Sequence, residues 1–353
     1  MKQGECRIIS PVFRNINRNR TDRISIAMNT QSIFLNLAVG GAFFAAILCP
    51  VRGEEGLEPE KKILSRHKTP PTYVRNEKDD SKWPGMIREG IDAARKYFGN
   101  YGPVYVYILG HEDKTLNSEE FHRELVETYC RHHCGDDREK LRYCKAGPGM
   151  ELVKKAHSGR GDAYLSMVGD TDPPIAELVF INPHKFRDPY LYTRGIHEYT
   201  HVYQRSFPFT PTWMVEGGAE FFAAYLGEKN GWEKLSDAMK EFMKNVHRVK
   251  DPELDIEDME DVDKVSPAVK KYYRHLAYDA GAWAFAFMIH KSKGRSIADT
   301  REVLYPLVAK HGWERALVEF AQVKDKRAFY KAFRAFLKTP LEAQLKMLET
   351  LED

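Results

Sequence analysis

Apolar residues recur at helical spacing over 85–98 (GMIREGIDAARKYF), where Ile87, Ile91, Ala94 and Phe98 share one face. The next segment, PVYVYILG (103–110), is β-branched and aromatic and predicts a strand. Helical spacing returns over 119–130. AYLSMVG (163–169) and AELVFINP (176–183) read as two further strands. From there the pattern is almost wholly helical: 192–206, 213–227, 232–247, 267–291, 297–310, 313–321, 326–337 and 340–351. The acidic stretch DPELDIEDMEDVD (251–263) interrupts these as a loop. The order implies an α+β chain, with a small sheet and flanking helices first and a mostly α-helical part after it.

The first eighty residues differ. RNINRNRTDR (14–23) is basic, and IFLNLAVGGAFFAAILC (33–49) is an uncharged apolar run followed by VRG. A basic flank, an apolar run and small residues at Val51 and Gly53 predict a secretory signal cleaved near Gly53, with an uncleaved membrane anchor as the alternative. Met28 is a second candidate start, and Cys49 a weak candidate for lipid attachment. Residues 54–80 are charged, carry a Pro-Pro pair and read as a linker. The expected division is therefore a leader over 1–53, a linker over 54–80, a catalytic part with sheet and metal-binding helices over 81–227, and a helical part over 228–353.

The leader changes the charge balance. Residues 1–53 hold seven Lys/Arg and two Asp/Glu, so their removal turns a net charge of +3 into −2. A near-neutral remainder has no basic footprint for nucleic acid. Membrane contact is expected only through the N-terminal run, and the chain is expected to be exported to the periplasm, the cell envelope or the medium. Cys130, Cys134 and Cys144 lie outside the leader, beside His132 and His133. Their spacing fits no zinc pattern. In an exported chain two of the three are expected to form a disulfide, and the spacing leaves the pair open.

The chemistry concentrates in HEYTH (197–201) and TWMVEGGAEFF (212–222). Positions four apart share a helix face, so His197 and His201 present two imidazoles one turn apart, as a tetrahedral Zn²⁺ requires. Glu198 lies beside the first of them, where it can serve as general base. Fourteen residues separate His201 from Glu216, which allows a turn and a returning helix that brings a third, carboxylate ligand. Two His and one Glu leave a fourth direction open, the catalytic rather than the structural arrangement. Glu220 follows one turn later and is placed to accept the remaining N–H of a ligand histidine. Gly217 and Gly218 are poor helix formers, which makes sense if this helix packs closely on the HEYTH helix.

This pair of segments resembles the HExxH…W-x-x-E-G-x-A-E signature of gluzincin zinc metallopeptidases, the thermolysin-like superfamily. It is also similar to bacterial collagenase-type catalytic domains and the broad peptidase-MA-like group. The resemblance is close over 192–225. It implies a zincin-like fold, with His197, His201 and Glu216 on Zn²⁺, Glu198 as base, Glu220 orienting a ligand histidine, and a peptide or protein substrate. It also implies that the strand at 176–183 borders the cleft, where an extended peptide can add as a further strand. Family members stabilise the oxyanion with a Tyr or His from the later helices. Tyr272, Tyr273, His275 and Tyr278 are available, and Tyr278 is preferred because it opens a Gly/Ala-rich helix. The Gly-x-Met-Glu-Asn segment of the zinc aminopeptidases is missing between 160 and 190, which favours endopeptidase over exopeptidase action. The alternatives are an inactive zincin-fold binding module and a zinc hydrolase of a non-peptide substrate.

Overall fold

A computed structural model describes residues 63–168, 171–187, 190–208, 210–250 and 255–353. The expected leader, with Met28 and Cys49, lies outside the described residues, as do 54–62 of the expected linker. Residues 63–80 carry two short strands, β1 (Ser65–Arg66) and β2 (Thr72–Val74), and Leu64 is buried in the main core. After α1 (Lys82–Phe98) come β3 (Tyr101–Gly102) and β4 (Val104–Leu109), and β3 pairs antiparallel with β1.

Three helices then cap one face of the sheet: α2 (Glu119–Cys134), α3 (Arg138–Ala146) and α4 (Pro148–His157). The last two are not anticipated by the sequence pattern. Five of the nine residues of α3 are charged, and it buries only Leu141 and Cys144. A disulfide joins Cys130 of α2 to Cys144 of α3, and Cys134 stays outside it.

Strands β5 (Asp162–Val168) and β6 (Ile175–Ile181) complete a mixed four-stranded sheet of order β2-β4-β6-β5. β2, β4 and β6 run parallel, and β5 pairs antiparallel with β6. The strand expected to border the cleft, 176–183, is therefore an interior strand. The outer strand on that side is β5. The sequence pattern is consistent with this once burial is known: apart from Glu177, AELVFI is apolar on both of its faces because both are covered.

Alternation along the strands divides the interior. Val104, Val106, Ile108, Leu178 and Phe180 face the main core. Tyr107, Leu109, Val179 and Ile181 face the smaller core beneath α2–α4. One polar cluster crosses this smaller core. Glu177, fully buried, faces Ser166 Oγ at 2.9 Å and His133 Nε2 at 2.7 Å, and accepts from the Tyr107 hydroxyl at 3.2 Å. His132 is thus tied to Tyr107 and His133 to Glu177.

The two segments expected to bind metal fall on α5 (Tyr190–Gln204) and α6 (Thr212–Lys229). Next comes α7 (Leu235–Val246), then a short turn of helix, α8 (Pro267–Lys270). The helix expected over 267–291 is not continuous. A π-helical segment, Arg274–Ala280, separates α8 from α9 (Gly281–Lys291). A second π segment (Thr300–Leu304) precedes α10 (Tyr305–His311), and α11 (Trp313–Ala321), α12 (Lys326–Leu337) and α13 (Leu341–Leu348) follow. The main core runs from Leu64 to Leu348, across the division expected at residue 227.

Two glycine crossings set the helix positions. A Cβ on Gly195 of α5 would lie 2.8 Å from the Ile87 carbonyl oxygen of α1, and one on Gly90 would lie 2.1 Å from the Tyr192 carbonyl oxygen. A Cβ on Gly217 of α6 would lie 2.1 Å from the Gly281 carbonyl carbon of α9. The close approach expected of Gly217 therefore exists, but its partner is α9 and not the HEYTH helix. Gly218 does face that helix, with Gln204 Nε2 at 3.2 Å from its virtual Cβ. Gly217→Ala must separate two backbones that no rotamer change can relieve. The expected cost is at least the ~1–3 kcal/mol of core overpacking, measured by denaturant unfolding. Wild-type stability in this variant would rule out the crossing.

Burial lowers the pKa of His111, His122, His132 and His184 from the usual imidazole value. Each is held neutral in the folded chain and takes a proton more readily when unfolded. Their contribution to stability is complete above about pH 6.5 and is lost as pH falls below it. The melting temperature should drop between about pH 7.5 and 5.5, and His122→Gln should flatten that slope. Parallel slopes for the two proteins would exclude a contribution from His122.

Candidate metal centre

His197 and His201 project from one face of α5, and Glu216 comes to meet them from α6. His201 Nε2 stands 3.0 Å from His197 Nε2 and 3.4 Å from Glu216 Oε2, and His197 Nε2 is 3.6 Å from the same oxygen. A tetrahedral ion with bonds of about 2.0–2.1 Å holds its donors about 3.3–3.4 Å apart. The triangle has that size. Among the described residues this is the one group of three such side chains whose donor atoms converge closely enough to share an ion.

The site also has an unmet need. Glu216 Oε2, the oxygen facing both imidazoles, is buried and has no hydrogen-bond partner. Among the described residues no arginine or lysine lies within ion-pair distance of Glu216. A divalent cation among the three donors would supply the missing charge. The His201 and Glu216 side chains retain 11% and 9% exposure against 2% for His197, so the centre opens on their side.

The surroundings orient each ligand. His201 Nδ1 is 2.8 Å from Gln204 Oε1; an N–H donated there leaves Nε2 bare for a metal. Gln204 is fixed in turn by donating to the Val215 carbonyl at 2.9 Å and to the Tyr305 hydroxyl at 3.0 Å. The Tyr273 hydroxyl donates to Glu216 Oε1 at 3.2 Å. Glu220 lies behind His197, with Oε1 3.7 Å from Nδ1, longer than a hydrogen bond. The same oxygen receives Arg274 Nη2 at 3.2 Å. Burial and the Arg194 charge lower the pKa of His197. Burial also acts to lower that of His201, but Glu216, Glu198 and Gln204 together outweigh it and the net shift is upward. Burial would raise Glu216, yet the two histidines hold it well below the usual carboxylate range.

Glu198 is buried, 2% exposed, and its Oε1 lies 3.5 Å from Arg194 Nη1. The Tyr278 ring is parallel to that of His197 at 5.7 Å, and 5.4 Å from the Tyr273 ring. The π segment explains how both tyrosines reach the centre. Its i→i+5 geometry puts residues five apart on one side, which α-helical spacing does not. Burial and the Glu216 charge keep both phenols protonated by raising their pKa. Of the other two candidates, His275 turns to the buried Asp279 at 3.3 Å, and Tyr272 lies against Lys271.

Gln204, Arg194 and Arg274 are not singled out by the sequence, and Tyr273 is one of its four oxyanion candidates, with Tyr278 preferred. Gln204 and Arg194 are within reach of the spacing rule, being three residues after His201 and four before Glu198. Arg274 depends on the π segment and carries no comparable signal. A cavity of about 580 Å³ lined by Arg66, Lys96, Tyr101 and Arg301 involves Tyr203, two residues beyond His201 on α5, and none of the three donors lines it.

No protein-family model, curated protein or solved structure matches this chain. The expected result at this centre is a single divalent ion per chain in protein dialysed without added metal. His201→Ala and Glu216→Ala should lose it, and Gln204→Leu should bind it about 10–100-fold more weakly. Elemental analysis with chelator competition reads all three. Full occupancy in His201→Ala would dismantle the centre.

Proposed function

We propose that this chain is a zinc-dependent peptide hydrolase of the gluzincin kind, acting within chains, with a zincin-like arrangement of sheet and metal-binding helices. The observation that carries this reading is the buried donor triangle of His197, His201 and Glu216, with Glu198 fixed on the same helix between the two histidines. Two imidazoles and one carboxylate suit zinc, which when bound polarises the scissile carbonyl and acidifies a water. Glu198 takes the proton of the attacking water and returns it to the leaving amine. Tyr278, with Tyr273 beside it, is a protonated donor for the developing oxyanion.

The substrate would lie extended along β5. Its first residue, Asp162, is close enough to Glu198 and Arg194 to feel their charges, and α5 packs against this strand. An extended peptide adding to the outer edge of β5 would thereby be aligned beside the centre. Export of the chain is part of the proposal, and the Cys130–Cys144 disulfide supports it, because such bonds persist in oxidising compartments. No helix of the described residues is long and apolar enough to cross a membrane.

Glu198→Gln keeps the shape and removes the charge. It should hold zinc and fold normally, with turnover reduced by at least ~10²–10⁴-fold and KM little changed. Peptide-library cleavage by the two proteins side by side makes the comparison. Near wild-type turnover by the variant would require a different base. A zinc-loaded wild type that cleaves nothing in a broad library would favour a binding module instead.

A further inference from the structure

We propose that Arg194 is the positioning residue of this centre, a buried fork that holds Glu198 and Glu220 in one fixed relation. The assignment of Glu198 as base rests on the reading above; the link to Glu220 does not.

Arg194 sits one turn before Glu198 on α5 and is 6% exposed. A guanidinium that deep is costly unless it is paired. Its partners are the residues of the centre. Nη1 lies 3.5 Å from Glu198 Oε1, along the same helix face. Nη2 lies 3.8 Å from Glu220 Oε1, across the gap to α6. Nη2 also donates to the Tyr190 hydroxyl, and the guanidinium carbon stands 4.9 Å from the centre of the Tyr190 ring. One planar group therefore reaches two carboxylates on two helices while resting against an aromatic ring.

That geometry has two consequences. Glu198 has one oxygen directed to Arg194, which leaves the other for proton transfer and restricts its rotamers. Glu220 is held from two sides, by Arg194 and by Arg274, with its Oε1 directed at the back of His197. Movement of Arg194 would loosen both the base and the carboxylate behind a metal ligand. A lysine supplies the charge as a single point and cannot span both partners. A merely structural ion pair between α5 and α6 would affect stability alone.

Arg194→Met, Arg194→Lys, Glu220→Ala and the double variant Arg194→Met/Glu220→Ala test this. Zinc affinity, read by chelator competition, requires no turnover. We expect Arg194→Met to lose about 10–100-fold in zinc affinity, in kcat or in both, with KM near wild type. Arg194→Lys should recover only part. If Arg194 acts on zinc through Glu220, the double variant should bind zinc no more weakly than Glu220→Ala alone. Wild-type zinc affinity and kcat in Arg194→Met would overturn the proposal. So would zinc losses that add in full in the double variant. Should Arg194→Met fail to fold, Arg194→Lys decides: wild-type values in both measurements reject the fork. If wild type binds zinc but cleaves no peptide, the proposed activity fails while the zinc measurements still decide the role of Arg194.

Discussion

The centre depends on two places where helices touch backbone to backbone. Gly195 of α5 meets α1 around Gly90 and Ile87, and Gly217 of α6 meets Gly281 of α9. His197 and His201 follow the first contact by two and six residues, and Glu216 immediately precedes the second. A side-chain contact can adjust by changing rotamer. A contact between main chains cannot, so α5 is held at a fixed distance from α1, and α6 at a fixed distance from α9, by backbone contact. Donor atoms spaced for one small ion require that kind of support, because an error of an ångström in helix position would take Glu216 out of reach.

The same constraint explains why part of the site was legible in the sequence and part was not. The i, i+4 rule operates within one helix, and it placed His197 with His201 and Glu216 with Glu220 on common faces. Applied further, it would have reached Arg194 and Gln204. It could not choose between helices. The glycines at 217 and 218 announced a close approach, but only the tertiary structure shows that Gly217 meets α9. Tyr273 is among the sequence candidates, but its pairing with Tyr278 has no signal there: residues five apart share a face only where the helix widens, and the π segment at 274–280 has no sequence signature at this level.

The open edge expected of 176–183 fails on similar grounds. A strand as apolar as β6, Glu177 apart, signals burial of both faces, hence an interior position, whereas β5 is partly exposed except at Leu165 and Val168, as suits an outer strand. Helix α3 has little sequence signal because the disulfide supplies part of the ordering that a hydrophobic face would otherwise provide. With Cys130 joined to Cys144, a helix as polar as α3 is held over the sheet by few apolar contacts.

Charge accounting within the centre separates its three carboxylates. Glu198 and Glu220 each lie within ion-pair distance of a guanidinium, Arg194 for both and Arg274 also for Glu220. Glu216 does not. It faces two imidazoles and a phenol, and one of its oxygens is buried without a hydrogen-bond partner. Against the effect of burial, its charge is balanced by the two imidazoles, which hold its pKa well below the usual carboxylate range. Arginines around the other two carboxylates reduce their competition for a cation and leave Glu216 as the acidic donor. An ion would thus be directed to one position by the pairing of its neighbours as much as by the donors themselves, and the carboxylate proposed for proton transfer would be kept off it by the guanidinium it already faces.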